Sequence, residues 1–182
     1  MRYNVEKIKE IVRKNPTNEI IYFWGHTPNP KKITKSCFSQ WYDVYFEVDG
    51  VQYHTTEQYM MASKARLFGD KDTWSEIMNA NSPAEYKKLG RKVKGFDATI
   101  WDEKKLDIVI EGNKAKFGHN PDLKEFLLAT GDSILVEASP YDKIWGIGMK
   151  ASDPDCQNPN KWTGQNLLGK ALMRVRNELK KG

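Results

Sequence analysis

Residues 44–59 read Val44-Tyr45-Phe46-Glu47-Val48-Asp49-Gly50-Val51-Gln52-Tyr53-His54-Thr55-Thr56-Glu57-Gln58-Tyr59, and this stretch decides the fold class. Asp49-Gly50 is the two-residue signal of a tight hairpin turn. In a hairpin over 42–54, Val44, Phe46, Val48, Val51 and Tyr53 share one face, and Tyr45, Glu47, Gln52 and His54 take the other. A helix follows at once. Thr55 caps it, Gln58 closes a capping box three residues on, and Gly69 stops it just past Phe68.

Working outward, the apolar run Ile20 to Trp24 reads as a buried strand. Before it, Val5, Ile8, Ile11 and Val12 share one face of an N-terminal helix over about 3–14, ended by Pro16. Gly25, Pro28 and Pro30 mark 25–36 as a loop that also carries several lysines. On the other side, Trp74, Ile77 and Met78 fall on a helix near 71–78. Ser82-Pro83-Ala84-Glu85 opens another, with a cap, Pro at the first position and an acid in the first turn, and Gly90 ends it. Leu106, Val109, Ile110 and Phe117 place a longer helix over 101–117, ended by Gly118. Asn120-Pro121 starts a short helix to Ala129, and 134–138 reads as a strand. Residues 139–164 are irregular, and a run of that length in a compact domain tends to be functional or disordered. The last helix, 165–180, carries the stripe Leu168, Leu172, Val175 and Leu179. About six helices and four short strands that do not alternate as βαβ units predict an α+β fold. We expect a mainly helical single domain over 1–182, with its core at about 20–180, packed around a small antiparallel sheet.

The chain has 182 residues, 39% of them hydrophobic and 12% aromatic, enough for one domain with its own core. No apolar run reaches membrane-span length, and Met1 to Lys7 lacks the apolar centre of a signal peptide. The two cysteines, Cys37 and Cys156, have no metal-like spacing, so free thiols and a cytoplasmic location are expected. A net charge of +5 suits a phosphate-bearing ligand or nucleic acid, and it equally suits a lysine-rich solvated surface.

Three segments carry polar chemistry: 55–59, Asp142-Lys143-Ile144-Trp145-Gly146-Ile147-Gly148, and Gly164-Gln165-Asn166-Leu167-Leu168-Gly169. They are expected to be the parts of one pocket. Glu57 is a candidate general acid or base, although the helix dipole alone also favours an acid in a first turn. Lys64, two turns on, can pair a phosphate, stay solvated, or act as an amine nucleophile if desolvated. Trp145 offers a stacking face for a base or ribose, and the amides of Gly146 and Gly148 can approach a phosphate. Asn166 opens a helix whose N-terminus suits phosphate. Lys87, Lys88, Arg91, Lys92 and Lys94 form a basic cluster in which Arg91, just past Gly90, is the best placed to meet a ligand. His26, His54 and His119 have no metal-ligand spacing, and no HExxH, GxSxG or Walker A motif occurs, which disfavours metal, serine-triad and P-loop mechanisms.

These segments, in this order, resemble the NADAR family, also called YbiA-like. The resemblance runs from about Ile20 to Leu179 and rests on Thr56-Glu57-Gln58-Tyr59, Lys64, Gly90-Arg91, Lys116-Phe117, Leu135-Val136-Glu137, Asp142, Trp145-Gly146 and Asn166 to Gly169. The family's Phe-Ser-Asn-Phe is replaced here by Phe38-Ser39-Gln40-Trp41. The resemblance implies a YbiA-like fold and an N-glycosidase that cleaves between C1 of a phosphorylated ribose and a base amine. The candidate catalytic residues fit this reaction: Glu57 or Asp142 can protonate the leaving nitrogen or stabilise positive charge at C1, and Lys64 can instead form a Schiff base with ring-opened ribose. Substrate binding would fall to Phe38, Tyr59, Arg91, Trp145, Gly146, Gly148 and Asn166, with neither metal nor cofactor. Two substrate types go with the family: ADP-ribose on guanine in nucleic acid, for members acting as antitoxins or repair enzymes, and the ribosylamino-pyrimidine intermediates of riboflavin synthesis; single-stranded DNA is the nucleic-acid partner expected here. The basic cluster leans toward the first, whose partner would be a cognate ADP-ribosyltransferase toxin. The competing class is a non-catalytic module that binds ADP-ribose or single-stranded nucleic acid, but acids in a phosphate-reading pocket argue against it.

Overall fold

The computed structural model describes residues 19–181, so the helix expected over 3–14 lies outside the described residues. These residues divide into two compact units. One is Gln40–Pro121; the other joins the described residues up to Ser39 with those from Asp122 onward.

The Gln40–Pro121 unit begins with the expected hairpin, whose strands β2 (Phe46–Val48) and β3 (Val51–Tyr53) pair antiparallel. Phe46 faces Tyr53 and Val48 faces Val51, so the apolar residues share one face. Asp49 and Gly50 both take positive φ, at 51° and 75°, as the tight turn demands. Helix α1 (Thr56–Leu67) follows without a linker. The Thr55 hydroxyl accepts from the Gln58 amide at 3.0 Å. The Gln58 side chain reaches back to the His54 amide at 2.9 Å, one residue before the position a standard box would use.

Helices α2 (Lys71–Asn79) and α3 (Pro83–Gly90) pack on α1. Helix α4 (Ala98–His119) is longer than the spacing of its apolar residues indicated. Asp97 caps it, accepting from the amides of Thr99 at 2.8 Å and Ile100 at 3.0 Å. Gly118 does not end it; the helix runs to His119 and stops before Asn120-Pro121. Another glycine, Gly112, faces Tyr59, whose ring a Cβ there would meet at 2.5 Å from Cδ1.

The other unit is built on a parallel pair, β1 (Ile20–Phe23) beside β4 (Ile134–Glu137). The hairpin is thus one two-stranded sheet, and the strands read at 20–24 and 134–138 form a second, parallel one. Helix α5 (Pro121–Ala129) leads into β4, and α6 (Leu167–Leu179) packs on it. Leu168, Leu172 and Val175 are wholly buried, which bears out the apolar stripe. Residues between β4 and α6 hold only two 3-10 turns, Pro154–Gln157 and Pro159–Lys161. No helix among the described residues is long and apolar enough to cross a membrane.

Candidate active site

In the Gln40–Pro121 unit the candidates Glu57, Tyr59 and Lys64 all lie on α1. Glu57 is only 5% exposed. Its amide donates to the Gln40 carbonyl at 2.9 Å, and the Thr56 hydroxyl donates to the same oxygen at 3.2 Å. The Gln40 side chain in turn accepts from Asn113 Nδ2 on α4 at 2.9 Å. The first turn of α1 is therefore fixed by a buried amide strut. Three residues beyond Asn113, Lys116 is 0% exposed and its amine lies 5.4 Å from the ring centroids of Tyr42 and Phe117.

Lys64 lies seven residues beyond Glu57, about 10 Å along the helix axis. Its amine donates to the Gly90 carbonyl at 2.8 Å, at the C-terminal, electronegative end of α3. It also sits 4.1 Å from the Phe96 ring centroid and 5.5 Å from that of Trp101. Burial lowers its pKa from the ordinary 10.5, because the charged form is disfavoured away from water. A Cβ at Gly90 would collide with the Met61 side chain, so a larger residue here displaces it. Arg91, the next residue, is exposed. Tyr59 lies in the aromatic core, 5.1 Å from Tyr53 and 6.3 Å from Phe46. Burial raises the Tyr59 hydroxyl pKa first, and the hydrogen bond and charge of Glu111 add to the shift.

In the other unit, Asp142, Trp145, Gly146, Gly148 and Asn166 come together in one knot of backbone. Asp142 Oδ1 accepts from the amides of Ile144 at 2.8 Å and Trp145 at 2.7 Å, closing the turn that presents Trp145. The carbonyls of Lys143, Ile144, Trp145 and Gly146 accept from Gln165, Leu167, Leu168 and Asn166. Loop carbonyls therefore take amides of Leu167 and Leu168 that a phosphate at this helix end would use. Asn166 is wholly buried with φ 51°. Its side chain donates to the Leu135 carbonyl at 3.0 Å and accepts from the Glu137 amide at 3.0 Å. A Cβ on Gly146 would lie 2.9 Å from the carbonyls of Asp142 and Glu137, and one on Gly148, at φ 73°, would collide with Thr163 Oγ1. Phe38 is wholly buried between Phe23 at 5.4 Å and Phe126 at 5.5 Å. Phe38, Tyr59 and Asn166 thus make these contacts with the chain itself.

Sequence reasoning passed over Lys170. It is 8% exposed in the first turns of α6, and burial lowers its pKa from the ordinary 10.5. The signal was present: it is the one charged residue in Leu167-Leu168-Gly169-Lys170-Ala171-Leu172-Met173. Gln40 was visible only as a departure from a motif. Among the described residues, no three His, Cys, Asp or Glu side chains are grouped as metal ligands.

The model of the NADAR domain matches residues 22–180. The chain is 47% identical over 167 residues to an N-glycosidase of Acanthamoeba polyphaga mimivirus, covering 89% of this chain and 97% of that protein. It is 37% identical over 113 residues to the chloroplastic riboflavin biosynthesis protein PYRR of Zea mays, covering 60% of this chain but 16% of that protein. The NMR structure of the Escherichia coli protein YbiA matches with a TM-score of 0.73 at 28% identity, over 90% of this chain and 86% of that one.

Proposed function

The chain belongs to the NADAR domain family, and from that membership we propose that it is an N-glycosidase that hydrolyses the bond between C1 of a phosphorylated ribose and a base amine. The finer reading is removal of ADP-ribose from guanine in single-stranded DNA. The mimivirus relative, aligned over nearly its whole length, bears the name N-glycosidase and supports the reaction class. The observation that carries the mechanism is the half-buried Lys64 amine, set between Gly90, Phe96 and Trp101, with its pKa lowered by burial.

A desolvated lysine is a nucleophile toward a carbonyl-level carbon. Neutral Lys64 attacks C1 as the bond to the base nitrogen breaks. The base leaves with the bonding electrons and takes a proton from Glu57, whose first-turn position is fixed by Gln40. The ribosyl-lysine loses its excess proton and opens to a Schiff base. Water then adds to C1, releasing the sugar and restoring the amine. A direct route without the adduct uses the same acid and lets water attack C1. In this reading the exposed Arg91 contributes positive charge for phosphate; within the other unit, Asp142 orders the turn that carries Trp145. The similarity to the maize riboflavin protein supports a second reading, with ribosylamino-pyrimidine phosphates as substrates of the same chemistry.

The test is release of ADP-ribose from guanine-modified DNA, with borohydride added to trap a lysine adduct. Wild type is expected to release ADP-ribose and to form a trapped adduct that Lys64→Met lacks. Turnover without any trapped adduct supports the direct route. Full activity of Glu57→Gln removes Glu57 from the chemistry.

A further inference from the structure

Two of the most exposed aromatic residues have no part in the proposed reaction. Trp24 is 56% exposed and Tyr141 is 84% exposed. They follow the two parallel strands: Trp24 comes directly after β1 and Tyr141 four residues after the end of β4. Phe23 pairs with Glu137 in register, and the Ala138 amide donates to the Phe23 carbonyl at 2.9 Å, so both strands end side by side. The two rings meet there, 6.2 Å between centroids at an interplanar angle of 55°. Ligands of open sheets with parallel strands gather outside the carboxyl ends of those strands. Large aromatic surface left in water at such an edge marks an interaction site.

We propose that Trp24 and Tyr141 form a stacking platform for an unpaired base of single-stranded nucleic acid. Charge supports this occupant. The segment after Trp24, residues 25–36, carries Lys31, Lys32, Lys35 and no acid, and Lys31, Lys32 and Lys143 are exposed. The carboxylate nearest in sequence to Tyr141, that of Asp142, is engaged through Oδ1 by two backbone amides. Openness supports it as well. A small-molecule site encloses most of its ligand, whereas strand-binding surfaces present open aromatic faces flanked by lysines. The platform adds to the reading of a DNA-borne substrate, and it is tested without turnover.

The experiment measures binding of an unmodified oligo-dT by fluorescence anisotropy across a salt series. The proteins are wild type, the Trp24→Ala/Tyr141→Ala double variant, the Trp24→Phe/Tyr141→Phe pair, and Lys31→Ala/Lys32→Ala. The alanine double variant is expected to bind about 5- to 150-fold more weakly, the range for losing one stacked base, with its salt slope unchanged. The phenylalanine pair is expected to retain most of the affinity, which separates stacking from loss of fold. The lysine variant is expected to flatten the salt slope by about 0.7 for each phosphate no longer neutralised. Alanine variants that bind oligo-dT within twofold of wild type overturn the proposal. So does a loss of affinity for free ADP-ribose with strand binding intact, which would make the pair a mononucleotide subsite. Wild type that does not bind the strand at low salt overturns it too. If the platform fails while ADP-ribose is still released from modified DNA, the glycosidase reading stands and only the docking surface is wrong.

Discussion

Lys64 is half-buried and Lys170 buried, and burial lowers the pKa of both lysines. For Lys64 the consequence is kinetic. In the proposed adduct route, attack on C1 needs the neutral amine, so the rate is expected to rise with pH along a limb centred below the ordinary 10.5. Lys64→Met is expected to lose that limb together with the trapped adduct, which a pH–rate profile checks. For Lys170 the consequence is thermodynamic. A lysine whose folded pKa lies below its unfolded value binds fewer protons when folded. The penalty is therefore full below the lowered pKa and is relieved as pH rises toward the unfolded value. Lys170→Met is expected to raise the melting temperature by roughly 2–4 °C per kcal/mol of relieved penalty, more at pH 7 than near pH 10. An equal gain at both pH values would mean that Lys170 keeps an ordinary pKa when folded. Neither lysine's desolvation was legible in the sequence. Lys64 read as solvated, phosphate-binding or nucleophilic, and only Gly90, Phe96 and Trp101, brought in from 26 or more residues away, decide its surroundings.

At the scale of elements, what was legible was what local chemistry controls. The 46–53 hairpin, the Thr55 cap and the Ser82-Pro83 helix start depend on neighbours within a few residues, and each is found as read. Gly118 was misjudged because a glycine ends a helix only where the chain turns away; here α4 continues to His119 and Asn120-Pro121 breaks it. The parallel pairing of β1 with β4 joins residues more than a hundred positions apart, and no local pattern announces it. Asn166 shows the same division. Its place at a helix start was legible, but not its two bonds to β4. Asn166→Ala leaves the Leu135 carbonyl and the Glu137 amide without their partner and puts a Cβ residue lacking that amide at positive φ. A loss of at least about 2 kcal/mol is expected, read as a melting temperature lower by roughly 4–8 °C. The Gln40–Asn113 strut makes a parallel prediction. Asn113→Leu is expected to lower kcat more than it raises KM, because it loosens the first turn that carries Glu57. An unchanged kcat would show that the strut serves the fold alone.

Across the whole molecule, the family match spans residues 22–180 and so draws on both compact units. The resemblance was legible because its motifs occur in a fixed order, each too short to be specific alone. The surroundings of side chains such as Gln40 and Trp24 were not, because only the folded chain shows them. The central claim is that this chain cleaves an N-glycosyl bond at C1 of a phosphorylated ribose. The most direct measurement is to incubate the purified protein separately with guanine-ADP-ribosylated single-stranded DNA and with ribosylamino-pyrimidine phosphates, beside Glu57→Gln and Lys64→Met, and to follow the freed sugar. The account predicts release by wild type from the DNA, with at least about 100-fold slower release by Glu57→Gln, the scale of one general acid. Binding of ADP-ribose with no bond cleaved in either substrate would contradict it and leave a binding module.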